Sequence, residues 1–260
     1  MKLSIVFEHH EVEAVRTIVE AKLANKRRFV QERFQRNVAG HLPVIDDDRL
    51  WKTLIMCLLT TQQRSGPGSP INQLLDQKPF PLALATCQKT LALQEFVLQL
   101  LTDTTGIRRT NKIAQAVDRN LRTLENGGWD YIRRWRDQLL VQRASPADLS
   151  HRELEEAAAH YVDQFVEFGP KQSCNFWQSL GLTRYVFVLD SRIIGWLRQN
   201  LSLEAGLLTA SGLGDPQYYR FVSDMLLELC IEANILPCMF DAAVFDSFDE
   251  ATEWAEELIL

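Results

Sequence analysis

A chain of 260 residues in which 46% are hydrophobic, with only 12 glycines and 9 prolines, can bury a substantial core as one domain or two closely packed ones, which excludes a disordered or fibrous protein. The formal net charge is −6, but residues 241–260 hold seven Asp and Glu and no Lys or Arg, so removing those seven charges leaves the other 240 residues at +1. The five cysteines (Cys57, Cys87, Cys174, Cys230, Cys238) are scattered and form no close pair, which argues against a disulfide framework and for a reducing compartment.

From the N-terminus, Leu3 to Phe7 is too short for a signal-peptide core, and His9, His10 and Glu11 follow at once. No apolar run approaches the roughly twenty residues that span a bilayer, so the expectation is a soluble, cytoplasmic protein that does not enter a membrane. His9-His10-Glu11 has no second ligand group at zinc spacing, so no metal site is expected there. Helical periodicity then recurs almost everywhere, with no internal repeat, and the fold expected is all-α. Caps and apolar spacing predict helices over about 10–37, 48–61, 70–76, 81–87, 91–102, 109–124, 128–139, 150–166, 172–180, 191–199, 216–232 and 247–258. Breaks fall at Gly66-Pro67-Gly68, Gly127-Gly128 and the run from Gly212 to Pro216. Basic residues gather at Lys26, Arg27, Arg28, Arg33 and Arg36, at Arg108, Arg109, Lys112, Arg119 and Arg122, and at Arg133, Arg134 and Arg136, groups suited to phosphate neutralisation.

The stretch from 150 to 199 is the most informative. Ser150-His151-Arg152-Glu153 reads as a capping box, and Leu154, Ala157, Ala158, Tyr161, Val162 and Phe165 recur at helical spacing. Gly169 and Pro170 break that helix, and a second one resumes with Phe176, Trp177 and Leu180 on its buried side and Gly181 as its stop. The head of the second helix offers N–H groups without intrahelical partners and the positive end of a dipole, both suited to a phosphate oxygen, with Lys171 at the mouth. The apolar run 185–189 is too short for a helix and delivers Asp190, a candidate N-cap that would stay ionised, to the start of the next helix.

Phe168-Gly169-Pro170-Lys171-Gln172-Ser173 and Val188-Leu189-Asp190-Ser191-Arg192-Ile193, with Asp190 nineteen positions after Lys171, resemble the helix-hairpin-helix DNA glycosylase superfamily, most closely its 8-oxoguanine DNA glycosylase/AP lyases. The likeness extends to the apolar stretch 50–59 with the polar loop Thr60-Thr61-Gln62-Gln63-Arg64 after it, and to the basic segment 106–112. One departure stands out: where the family hairpin begins with a glycine, this chain has Glu167, which is expected to weaken the phosphate contact.

The resemblance implies two helical subdomains, a helical barrel with the hairpin over 45–181 and a discontinuous second one from 1–44 plus 182–260, with an active-site cleft between them. It implies Lys171 and Asp190 as catalytic residues. Gln62 or Gln63 would fill the hole left by an extruded base, and Arg64, Gly169, Gln172, Ser173 and Arg192 would contact DNA. The base pocket would draw on Cys174, Asn175, Cys238, Phe240 and Asp241, with Phe240 stacking on the base and Asp241 reading its edge. Some superfamily members carry an iron–sulfur cluster on four clustered cysteines, but only Cys230 and Cys238 lie near this C-terminus, so no cofactor is expected. The implied partner is double-stranded DNA containing a modified base, bound by a monomer. Ser247-Phe248-Asp249-Glu250 reads as a second capping box, opening an acidic surface helix that faces away from the DNA.

The chemistry asks for these residue types. Breaking an N-glycosidic bond leaves positive charge on the sugar, which a carboxylate stabilises, and a deprotonated lysine amine can displace the base and form a Schiff base that leads to strand cleavage. The implied activity is excision of an oxidised purine such as 8-oxoguanine with AP lyase activity. The alternatives are a non-catalytic helix-hairpin-helix DNA-binding or adaptor protein and a monofunctional glycosylase for another modified base.

Overall fold

The computed structural model describes residues 6–63, 66, 68–202 and 207–257, with side chains through residue 248. The protein is all-α, and no strand occurs among the described residues. Two compact units divide it: residues 1–41, 146–156 and 181–260 form the first, and 42–145 and 157–180 the second.

In the first unit α1 (His9–Ala24) packs on α12 (Pro216–Ala233) and α13 (Pro237–Glu257), while α2 (Arg28–Arg33) and α11 (Ser191–Asn200) also pack on α13. The buried face of α1 is Val12, Val15 and Val19, at the spacing of one helical stripe, and Val222 and Leu226 of α12 and Phe240 and Val244 of α13 are buried with it. Arg16 on α1 donates to the carbonyls of Ala233 and Glu232, satisfying the last turn of α12. The helix expected over 10–37 is two helices, because Lys26 adopts the left-handed conformation (φ 51°) and the Arg27 N–H reaches back to the Lys22 carbonyl, a hydrogen-bonded helix stop.

The expected acidic helix starting at Ser247 is corrected as well. Pro237 opens α13 ten residues earlier, in its favoured first-turn position, and the Ser247 hydroxyl donates to the Val244 carbonyl from inside that helix instead of capping its start. Two of the tail acids are therefore interior. Asp241 and Asp246 are both buried, and Asp246 is neutralised by Lys22 (3.0 Å) and Arg27 (2.9 Å). Arg33, expected in a basic surface group, is also buried, with its guanidinium over the Phe29 ring.

A further buried acid of this unit is held by backbone N–H groups. Glu155, on α9 (His151–Val162), accepts from the backbone N–H groups of Arg184 (2.9 Å) and Tyr185 (2.7 Å). Burial pushes its carboxyl up to about 8, against the pull of those N–H donors. An acid whose pKa is raised on folding holds a proton that the unfolded chain releases, so its stabilising contribution is full below the ordinary value of 4.5 and is lost as pH rises through about 8. Glu155→Gln is expected to flatten that decline, by on the order of a few kcal/mol across the window, when denaturant unfolding is compared at pH 5 and pH 8.

The second unit holds α3 (Asp47–Leu59), α4 (Pro70–Leu75), α5 (Leu84–Lys89), α6 (Leu93–Asp103), α7 (Thr110–Thr123), α8 (Trp129–Arg143), the last half of α9 and α10 (Pro170–Ser179). Asp46 caps α3 by accepting from the Arg49 N–H, and Ser69 caps α4 through the Asn72 N–H. Helices α6 and α7 pack as a pair joined through Gly106 (φ 93°), and α10 packs on α3. Trp51 and Trp177 are fully buried, and each satisfies its indole N–H on a backbone carbonyl, of Leu82 and Ala158 respectively.

Candidate active site

The hairpin between α9 and α10 lies in the second unit. Helix α9 ends at Val162, four residues short of the expected 166, and the Ser150 side chain donates to Asp148. The turn 163–169 is held by Asn120 of α7, fully buried, whose amide donates to the Val166 carbonyl (3.1 Å) and accepts from the Val166 N–H (2.7 Å). Glu167 then takes the left-handed conformation (φ 63°) that a glycine adopts without penalty, at a cost of about 1 kcal/mol for a residue with a side chain. Its carboxylate pairs with Arg109, itself left-handed (φ 60°) at the head of α7, and stands 4.0 Å from the Lys112 amine.

Gly169 is extended (φ −161°, ψ −178°), a conformation open to any residue, and it caps α10 by accepting from the Ser173 N–H. A Cβ added there would meet nothing within 4 Å, so the space beside Gly169 is open. Pro170 fills the first helical position and Lys171 the second, half-buried. The Lys171 charge acts on the Cys57 thiol of α3, which burial pushes well above the usual thiol range and which also receives the Asn175 amide (3.6 Å). The neighbouring side chains turn inward. Gln172 donates to the Thr61 hydroxyl (2.7 Å), the Ser173 hydroxyl donates to Asp163, and Cys174 is buried.

The loop after α3 is tied to the same region. Gln63 donates to the Leu59 carbonyl and accepts from the Arg108 N–H (2.8 Å), so both ends of its amide are engaged, whereas Gln62 is left-handed (φ 57°) and exposed. A groove of about 530 Å³ runs beside it, lined by Gln63, Ser69, Pro70, Gly106 and Arg108 among others. Arg64 lies outside the described residues.

Asp190 belongs to the first unit, as the N-cap of α11. Its Oδ1 accepts from the N–H groups of Arg192 (2.9 Å) and Ile193 (3.4 Å), and its Oδ2 receives the Arg192 guanidinium (2.7 Å), which also stacks 3.8 Å from the Phe245 ring centroid. The side chain keeps 13% of its surface exposed, so the carboxylate is ordered but not sealed. Cys238, Phe240 and Asp241 lie on the first turns of α13, in the interior of the same unit. Phe240 packs edge-on against Trp196 with ring centroids 4.9 Å apart, and Asp241 accepts from the Val188 N–H (2.8 Å).

Sequence reasoning did not single out Asn120, Glu155 or Tyr219, although a signal existed for the first two. Asn120 interrupts the apolar stripe Ile113, Ala116, Val117, Leu121 of α7, and Glu155 shares a face with Ala158, Ala159 and Val162.

No family profile and no curated protein matches the sequence. Among solved structures, the chain is similar to the crystal structure of Methanocaldococcus jannaschii 8-oxoguanine DNA glycosylase, with a TM-score of 0.63 over 91% of this chain and 94% of that one, at 17% sequence identity. Likeness at that identity is a likeness of fold: this chain is an all-α protein built on the fold of that glycosylase.

Proposed function

We propose that this protein is a DNA glycosylase that excises a modified base, an oxidised purine such as 8-oxoguanine, and then cleaves the strand as an AP lyase. Lys171 attacks C1′ of the damaged nucleotide as the base departs, opening of the C1′–O4′ bond turns the aminal into an imine, and loss of a C2′ proton then lets β-elimination break the bond to the 3′ phosphate. Asp190 stabilises the positive charge that develops on the sugar. Because Gln63 is engaged at both ends, Gln62 is assigned to fill the space vacated by the extruded base, at a site where unstacking must be compensated. Asn175, half-buried four residues after Lys171, is assigned to the base pocket. The protein acts as a monomer on duplex DNA in the cytoplasm, without a cofactor.

The observation that carries this reading is an amine on the second residue of a ten-residue helix whose head follows an open, extended glycine, in a chain with a glycosylase's fold. The test is a panel of duplexes, each bearing one modified base, assayed for base release and for strand nicking. The proposal expects both with 8-oxoguanine; release without nicking would make the protein a monofunctional glycosylase, and neither with any base would remove the enzyme reading. Glu167 bears on the DNA contact directly, since a carboxylate at the turn opposes a phosphate. Glu167→Gly removes it, relieves the left-handed strain and releases Arg109, so duplex affinity measured by fluorescence anisotropy is expected to rise about three- to tenfold, with the salt dependence steepened by about one phosphate contact.

A further inference from the structure

The segment leading to Asp190 belongs to no helix, and no strand occurs among the described residues, so its backbone polar groups must be satisfied by something else. Side chains do it. The N–H groups of Arg184 and Tyr185 go to the two oxygens of Glu155 (2.9 and 2.7 Å), and the Val188 N–H goes to Asp241 Oδ2 (2.8 Å). The Tyr219 hydroxyl accepts from the Leu189 N–H (3.0 Å) and donates to the Phe187 carbonyl (2.8 Å), bridging the two residues that precede Asp190 by one and by three. Further bonds pin the start of the run: the Thr183 carbonyl accepts from Asn37 (2.8 Å) and the Arg184 carbonyl from the Cys238 N–H (3.0 Å). Glu155, Tyr219 and Asp241 are all nearly inaccessible, at 1%, 5% and 6% exposure, and come from three different helices.

We infer that Glu155, Tyr219 and Asp241 are positioning residues for Asp190, a side-chain jig that holds this irregular run and fixes where the carboxylate points. This rests on the catalytic role proposed for Asp190. Three helices clamp the backbone within one to six residues of the N-cap, so a small shift in any bond is passed to Asp190 with little slack, and misplacement by about 1 Å is enough to cost a large factor in rate. It also gives Asp241 a role different from reading a base edge, since its Oδ2 is committed to Val188.

The test centres on Tyr219→Phe, which deletes both bonds of the hydroxyl and leaves the ring in place. Base release under single-turnover conditions is expected to slow about tenfold, with KM changed less than about twofold, and the same substitution made in an Asp190→Asn background should cost nothing further. Asp241→Ala, which removes the acceptor of the Val188 N–H, should reproduce the loss. Equal slowing by Tyr219→Phe in the wild-type and Asp190→Asn backgrounds would overturn the inference. If wild-type protein releases no base from any duplex, the proposed function has failed separately, and the inference is then read from NMR. Tyr219→Phe should shift the amide resonances of Arg192 and Ile193, which donate to Asp190, and unchanged resonances would overturn it.

Discussion

Lys171→Gln is expected to lose strand cleavage and the borohydride-trapped protein–DNA adduct altogether, and to slow base release by about 10³-fold or more, while duplex affinity changes only a few-fold. The reason lies in what the substitution keeps. Glutamine is as good a helix residue as lysine at the second position of α10, and the bonds that hold that helix, Gln172 to Thr61, Ser173 to Asp163 and Trp177 to the Ala158 carbonyl, do not involve the Lys171 side chain. The N–H groups at the helix head and the open space beside Gly169 also remain. Only the amine disappears, and an amide cannot form an imine. Gel analysis after borohydride reduction and single-turnover kinetics check both parts; an undiminished adduct would assign the nucleophile to another amine.

Asp190→Asn is the second large effect. Asparagine caps a helix as well as aspartate, so the bonds from the Arg192 and Ile193 N–H groups should persist, and the lost ion pair to Arg192 is partly exposed, so thermal stability should move by no more than about 1 kcal/mol. The rate should respond quite differently. Removing one charge from beside a developing oxocarbenium ion is expected to slow base release by about 10²- to 10³-fold. A variant that unfolds at the wild-type temperature yet releases base slowly separates the two roles that this carboxylate combines. A variant as fast as wild type would leave Asp190 as a cap only.

The helices and their order were legible because most of them carry their own signals. Asp46, Ser69, Asp190 and Asp215 all accept N–H bonds as N-caps, and the periodicity of 48–61, 109–124 and 216–232 translates into buried faces. The errors came where a local signal met a tertiary one. Ser247-Phe248-Asp249-Glu250 has the composition of a capping box, but Pro237 had already opened the helix, and packing of Phe240, Val244 and their neighbours carried it through. Arg33 and Asp246 look like surface charges in one dimension; three-dimensional pairing with Lys22 and Arg27 takes Asp246 inside.

At the candidate site, sequence spacing identified Lys171 at a helix head and Asp190 as a cap, both local properties. What it did not reach was everything that depends on partners distant in the chain. Asn120 holds Val166 from 46 residues away, Arg109 holds Glu167 from 58, and Tyr219 holds Leu189 from 30. The role of Glu167 was likewise half visible: the missing glycine could be read, but not that the turn keeps its left-handed conformation and offsets the carboxylate with Arg109 and Lys112.

The measurement that bears most directly on the account is the chemical identity of the reduced adduct. Wild-type protein is incubated with a duplex containing 8-oxoguanine in the presence of borohydride, digested, and the crosslinked peptide is sequenced by mass spectrometry. A deoxyribose remnant attached to the Nζ of Lys171 is the expected result; base release accompanied by an adduct on any other residue, or no adduct with any duplex of the panel, would contradict it.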